Sequence, residues 1–291
     1  MYMKIFLILI LGFNFLYGAD FPNRIISLGP TLTEQLYLLN VGDKVIGNTI
    51  YCKIPEDAKN KEKVGTVIEQ DLEKILTLKP DLVIASSLTN PKTVKKLNNL
   101  GIKVVRFRYA KSFNEICDQF LELGKVIGKG KEAKKIIKDV KYKVGLLKKK
   151  TIVRNSAKLV PAGLPSNVSI GGLKQGARQK VFVQIGAKPL FTAIKDSFIN
   201  DFIEFAGGIN IANTKTGLYS REEVVAQNPD VIIITTMGIV GDNEKKIWKK
   251  YKTINAVKNN RIYIVDSYKL CSPTPVSFAE TLKEIVEVLH K

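Results

Sequence analysis

The sequence predicts an α/β protein of two lobes, each built on a mainly parallel sheet, joined by a single long helix. Three observations lead there. Short β-branched and aliphatic runs alternate with amphipathic runs along both parts of the chain, the pattern of helix-covered parallel strands. A lysine-rich stretch of helical period runs unbroken from Gly130 to about residue 150 and separates the two parts. One helix–turn–strand unit is written twice, as LEKILTLKPDLVIAS (72–86) and REEVVAQNPDVIIIT (221–235), with Glu73 and Glu222 in equivalent places. Each lobe is therefore expected to be Rossmann-like.

Taken in order, NRIISLGP reads as a strand ending in a Gly-Pro turn, and TLTEQLYLLNVG as a helix with a glycine stop. VIGNTIY is a strand. DLEKILTLK, PDLVIAS, NPKTVKKLNNLG and IKVVRFRY then alternate helix, strand, helix, strand. Residues 112–150 are helical, broken at Gly128–Gly130, and the second piece would be about 30 Å long at 1.5 Å per residue. Residues 152–179 are rich in Gly, Ser, Pro and Asn with no period, which predicts an irregular insertion. Alternation restarts with KVFVQIG, SFINDFIEFAGG, SREEVVAQN, PDVIIITT, EKKIWKKY and RIYIVD, and a helix over 274–289 closes the chain. Ser220 with Glu223 forms a predicted capping box, and Asp71 a predicted N-cap. Both repeated glutamates thus fall in first helical turns, where the helix dipole favours a carboxylate. The expected domains are 1–19, a leader; 20–128, the N-terminal lobe; 129–151, the inter-lobe helix; 152–179, the insertion; and 180–291, the C-terminal lobe.

The leader reading rests on Lys4, the apolar run IFLILILGFNFLYG and the small residues Gly18 and Ala19, the plan of a cleaved secretory signal. A membrane anchor is the alternative, disfavoured by the length of the run. No cysteine stands near the expected cleavage point, so no lipid attachment is expected. The destination would be the periplasm. The formal charge is +19, yet only seven of the 46 basic residues are arginine. The densest lysine runs have helical spacing with interleaved apolar residues, which is how a solvated helix face reads, so no nucleic-acid partner is expected. Cys117 lies on an apolar stripe and reads as core; Cys52 and Cys271 fall in predicted loops. The sole histidine, His290, removes the commonest general base, and no nucleophile-elbow, phosphate-loop or dinucleotide fingerprint is present. An enzyme is not expected, nor is a histidine-rich site for a bare metal ion. Trp248, the only tryptophan, falls on a helix of surface character.

The ordered set RIISLGPTLTEQLYLLNVGDKVIG, YCKIPEDA, DLEKILTLKPDLVIAS, GIKVVRFRY, VFVQIGAKPLFTAIKDSFINDFIEFAGGINIA and SREEVVAQNPDVIIIT resembles the periplasmic receptors of ABC importers for vitamin B12 and ferric siderophores, nearest the B12-binding type. That resemblance covers nearly all of the chain past the leader, outside 152–179. It implies a ligand cleft between the lobes and a rigid helix spanning them. It implies that Glu73 and Glu222 dock onto the two subunits of an ABC permease dimer that works with its ATPase. It implies a monomer with no resident cofactor whose cargo is a metal chelate: a corrinoid first, a ferric siderophore or haem-like chelate second. Tyr51 and Phe191 fall on positions where aromatic side chains cradle the corrin. Asp266 is retained. Val67 and Thr216 replace tryptophans, Leu270 replaces an arginine and Ala206 replaces a disulfide cysteine. Tyr219, Tyr268, Lys188 and Lys269 lie in predicted cleft loops and are candidates for the missing contacts. Cys52 and Cys271 are expected beside the cleft, unpaired or in reach of one another or of a metal centre.

Overall fold

A computed structural model describes residues 21–157, 178–235 and 241–291. The expected leader, most of the expected insertion and residues 236–240 lie outside the described residues.

In the first lobe β1 (Ile25–Leu28), β2 (Val45–Asn48), β3 (Glu62–Lys63), β4 (Leu82–Ala85) and β5 (Lys103–Arg106) form a sheet ordered β3-β2-β1-β4-β5. All of its pairings are parallel. Helices α1 (Pro30–Leu38), α2 (Leu72–Thr77) and α3 (Pro91–Asn99) connect the strands, and α4 (Phe113–Val126) leads out. The inter-lobe helix α5 runs Gly130–Ala157, 28 residues and about 42 Å at 1.5 Å per residue. It continues past the expected end at 151 because TIVRNSA contains neither Gly nor Pro to stop it.

The second lobe holds β6 (Gln179–Ala187), β7 (Leu190–Thr192), β8 (Gly208–Asn210), β9 (Val231–Thr235) and β10 (Ile262–Val265), ordered β10-β9-β6-β7, with β8 beside the first half of β6. Only the β6–β7 hairpin is antiparallel. Its helices are α6 (Phe198–Phe205), α7 (Arg221–Gln227), α8 (Gly241–Trp248), α9 (Asn255–Lys258), α10 (Ser267–Cys271) and α11 (Pro275–Leu289).

The doubled sequence unit is a doubled structural unit. Each copy is a short helix feeding the strand beside the central one: α2 before β4, which pairs with β1, and α7 before β9, which pairs with β6. Each helix is followed within two residues by one in the left-handed region, Lys79 (φ 46°) and Asn228 (φ 47°), and a proline comes next. The next aspartate clamps the start of the central strand. The Asp81 carboxylate accepts from the N–H groups of Asn23 (2.7 Å) and Arg24 (3.1 Å), and its own N–H donates to Arg24 O (3.0 Å). The Asp230 carboxylate accepts from Lys180 N–H (2.9 Å), and its N–H donates to Lys180 O (2.8 Å). Pro-Asp is written twice because two central strands need the same anchor.

Strand alternation divides the interior into three. Ile26, Leu28, Val83 and Ala85 point to a small cluster with Ile75 and Leu97 on the outer face of the first sheet. Phe182, Ile232 and Ile234 do the same with Val224 and Trp248 on the second. The opposite faces, Ile25, Leu82 and Ile84 from one lobe and Val181, Val183, Val231 and Ile233 from the other, belong to one continuous cluster. Helices α4, α5, α6 and α11 close it, with α11 packed on the other three. At its centre Phe278 stacks on Phe202 with centroids 4.0 Å apart, and Phe113 lies 4.6 Å away on the other side. Cys117 is buried in this cluster, in keeping with its place on an apolar stripe.

Because one cluster serves both lobes, chemical denaturation should give a single transition. Phe278→Ala should lower its free energy by about 3–5 kcal/mol without splitting it. Two separate transitions in the parent protein would contradict the shared core.

Candidate functional site

Parallel strands collect their loops at one end, and here the two ends face each other. Thr31, at the start of α1, donates to Ser272 O just after α10 (3.0 Å). The Lys111 ammonium meets Asp196 at 2.5 Å, and the ring of Tyr109, just past β5, lies 5.7 Å from that of Phe198 at the head of α6. The Tyr268 hydroxyl donates to the Tyr51 carbonyl. Four contacts therefore join the two lobes at this end.

Large apolar side chains are exposed on these loops, where they would otherwise be expected inside. Past β2, the Asn48 amide donates to Ala58 O (2.8 Å) and accepts from Lys63 Nζ (2.7 Å), pinning the loop that carries Ile50 and Tyr51, both 48% exposed. Burial lowers the Lys63 pKa. Leu88 (65%) follows β4 and Tyr109 (53%) follows β5. Though half exposed, the Tyr109 phenol is pushed up to about 12 by its desolvated surroundings. From the other lobe come Leu218 (50%) and, bridged to it, the half-buried Phe191 on β7. Gly186 faces Phe191 across the hairpin, and a Cβ there would stand 3.1 Å from the Phe191 Cβ, so a small residue sets the ring's seat.

Tyr51 on the loop past β2 thus meets Tyr268 of α10, in the lobe whose β7 carries Phe191, with exposed Lys188 at the hairpin corner. Asp266 caps α10 by accepting Tyr268 N–H (2.8 Å) and so orients the tyrosine. Tyr219 is placed differently. Its ring lies 5.9 Å from Phe182 in the outer cluster of the second lobe, and its hydroxyl donates to Ile211 O (3.4 Å); burial raises its pKa. Lys269 is held by Glu284 at 2.6 Å. Leu270 and Ala206 are buried in the shared core, so neither position offers a contact to a ligand. Cys52 and Cys271 are free thiols, each held within its own lobe. Cys52 Sγ lies 3.2 Å from the hydroxyls of both Thr33 and Thr49. Cys271 packs against the shared core, and burial pushes its thiol up to about 11.

Glu73 and Glu222 are both exposed, in the first turns of α2 and α7. The Asp71 carboxylate caps α2, and Ser220 with Glu223 forms the capping box of α7. Since each helix runs back against the parallel strands, these first turns lie at the strand ends, on the same side as the loops above. Among the described residues neither carboxylate enters an ion pair.

Trp248 requires a correction. Lysines flank it in sequence, but its indole is fully buried, and Nε1 donates to Gln184 Oε1 at 2.6 Å. A separate apolar cavity of about 710 Å³ lies between α5, α11 and the end of α1, lined by Ile136, Val140 and Val276 among others, and takes no residue from the strand-end loops.

Residues 25–269 match the family model described as periplasmic binding protein, and the chain belongs to that family. It is 31% identical over 92% of its length to an ABC transporter substrate-binding lipoprotein of Bacillus subtilis, YvrC, covering 80% of that protein. It is 28% identical to a vitamin B12-binding protein of Vibrio parahaemolyticus, over 98% of this chain and 95% of the other. Among solved structures, one named a possible iron-binding periplasmic solute-binding protein of Staphylococcus epidermidis superposes with a TM-score of 0.76 at 30% identity, over 93% of this chain and 99% of that one. Two lobes and a helical backbone are common to this chain and its structural neighbours. No helix among the described residues is long and apolar enough to cross a membrane.

Glu34 on α1 meets the Thr274 hydroxyl of the other lobe at 3.2 Å, and burial foremost, with Glu280 nearby, raises its pKa. An acid whose folded pKa is raised contributes stability below its unfolded pKa and loses it as pH climbs through the folded value. Glu34→Gln should therefore raise the thermal unfolding midpoint at pH 7 and change it little at pH 4. An equal shift at both pH values would contradict this.

Proposed function

We propose that the protein is a non-enzymatic receptor of the periplasm, carried there by a cleaved leader. In this reading it captures a metal chelate between its lobes and hands it to an ABC permease dimer and its ATPase. The observation that carries this reading is the set of exposed apolar side chains on facing strand-end loops, Ile50, Tyr51, Leu88 and Tyr109 opposite Leu218, with the half-buried Phe191 bridged to Leu218. Such a surface has area to offer a large, flat, partly apolar ligand at little cost in side-chain entropy. A corrinoid suits it, and the similarity to vitamin B12-binding proteins along nearly the whole chain supports that choice. The likeness to a protein named as possibly iron-binding favours a ferric chelate as the second reading. A chelate brings its own metal ligands, in keeping with a cleft of tyrosines and aliphatics. The sole histidine sits elsewhere, a ring nitrogen 3.0 Å from Ala206 O.

Two carboxylates at equivalent places, one per lobe, suit a partner with two-fold symmetry. Facing basic groups, they would set register and steering more than raw affinity. Replacing both Glu73 and Glu222 by alanine should abolish uptake while leaving cargo affinity within a few fold. Persistent uptake would remove the docking assignment.

Tyr51→Ala leaves the backbone carbonyl free to accept from Tyr268, so it isolates the ring. It and Phe191→Ala should each weaken cargo binding by roughly 1–3 kcal/mol. Calorimetric titration against cyanocobalamin, a ferric catecholate, a ferric hydroxamate and haem decides the class of cargo. Heat from none of the four would refute the chelate reading.

A further inference from the structure

The two docking helices are equivalent in topology but not in how they are held. At the first residue of α2 stands Leu72, packed against the outer cluster of its lobe. At the matching residue of α7 stands Arg221, whose Nη2 lies 2.6 Å from Glu244 Oε2 in the first turn of α8. That pair is largely out of water, with side chains 18% and 8% exposed. The same Glu244 oxygen accepts from Gln184 Nε2 (2.7 Å) on the central strand β6, Gln184 Oε1 accepts from Trp248 Nε1 (2.6 Å), and the Arg221 guanidinium lies 5.2 Å above the Trp248 ring. Each charged group in this network is satisfied.

A buried ion pair adds little stability over apolar residues of the same volume, and the first lobe uses the apolar solution at the matching place. Such a pair does fix one geometry, because its members hold only where every partner is in register. The lobes also differ in the strand beside the docking helix. Lys74 of α2 pairs with Glu62 of β3 at 2.8 Å, and the second sheet has no counterpart of β3 among the described residues. The Lys74–Glu62 pair is open to water (40% and 59% exposed), where ion pairs contribute little. Helix α7 lacks that outer support and is instead tied inward, to β6 and α8.

Resting on the docking reading above, we propose that Arg221 and Glu244 are positioning residues for the docking carboxylate Glu222. They fix the first turn of α7 against the central strand, so that Glu222 meets a basic group of the permease in one orientation.

The test is a double-mutant cycle on binding of the full receptor to its permease–ATPase complex in lipid nanodiscs, with cyanocobalamin titration as the control for an intact cleft. Glu244→Gln keeps the shape and removes the charge; Arg221→Lys keeps the charge and removes the planar fork. Each should weaken permease binding by about three- to tenfold and leave any cyanocobalamin affinity within about twofold. In a Glu222→Ala background neither should weaken permease binding further. Wild-type permease binding by both variants overturns the proposal. So does a loss of the same size with or without Glu222, which would mark a merely structural role. If Glu244→Gln does not fold, Arg221→Lys decides alone in the same cycle. If Glu222→Ala itself leaves permease binding intact, the docking reading fails instead.

Discussion

The architecture depends on one apolar cluster that neither lobe owns. The inner faces of both sheets drain into it, and α4, α5, α6 and α11 seal it around the Phe202–Phe278–Phe113 stack. Dense packing resists shear, because moving one lobe would break many small contacts at once. The placement of the two sets of strand ends relative to one another is therefore a property of the folded state itself. Loops there can be small, since rigidity comes from beneath them. Polar contacts such as Thr31 to Ser272 and Lys111 to Asp196 then trim a spacing already set by the core.

Above that core, symmetry does the remaining work. Two Pro-Asp turns lock two central strands, and each puts a helix N-terminus, with its glutamate, beside the loops that would meet a ligand. In the proposed reading, cargo recognition and partner recognition would thus share one end of the molecule. Polarity of a parallel sheet enforces this, since every connecting helix must begin where the strand loops gather.

Much of this was legible in the sequence because it follows from period and punctuation. Alternating runs gave the strands, Ser220 with Glu223 gave a cap, and the repeat gave the equivalence of Glu73 and Glu222. What periodicity misses is the direction in which single side chains point. Lysines around Trp248 suggested a surface helix, yet an amphipathic helix has an inner face, and the indole found Gln184 there. Tyr219 read as a loop tyrosine, but its ring was drawn to Phe182. Leu88 and Tyr109 carry little sequence signal, because an aliphatic or aromatic residue just past a strand looks like core. Their one signal is position, three residues after the ends of β4 and β5; Leu218, in the longer run between β8 and α7, has not even that. The partnership of Arg221 with Glu244 joins residues 23 apart in sequence and left no local trace.

The three thiols lead in another direction. Cys52, Cys117 and Cys271 are all free of disulfides, two of them buried. Nothing in the fold waits on an oxidant or a disulfide isomerase to become stable. Such a chain can reach its native state in reducing surroundings as readily as in oxidising ones, and acquires no cross-link that a change of compartment could undo.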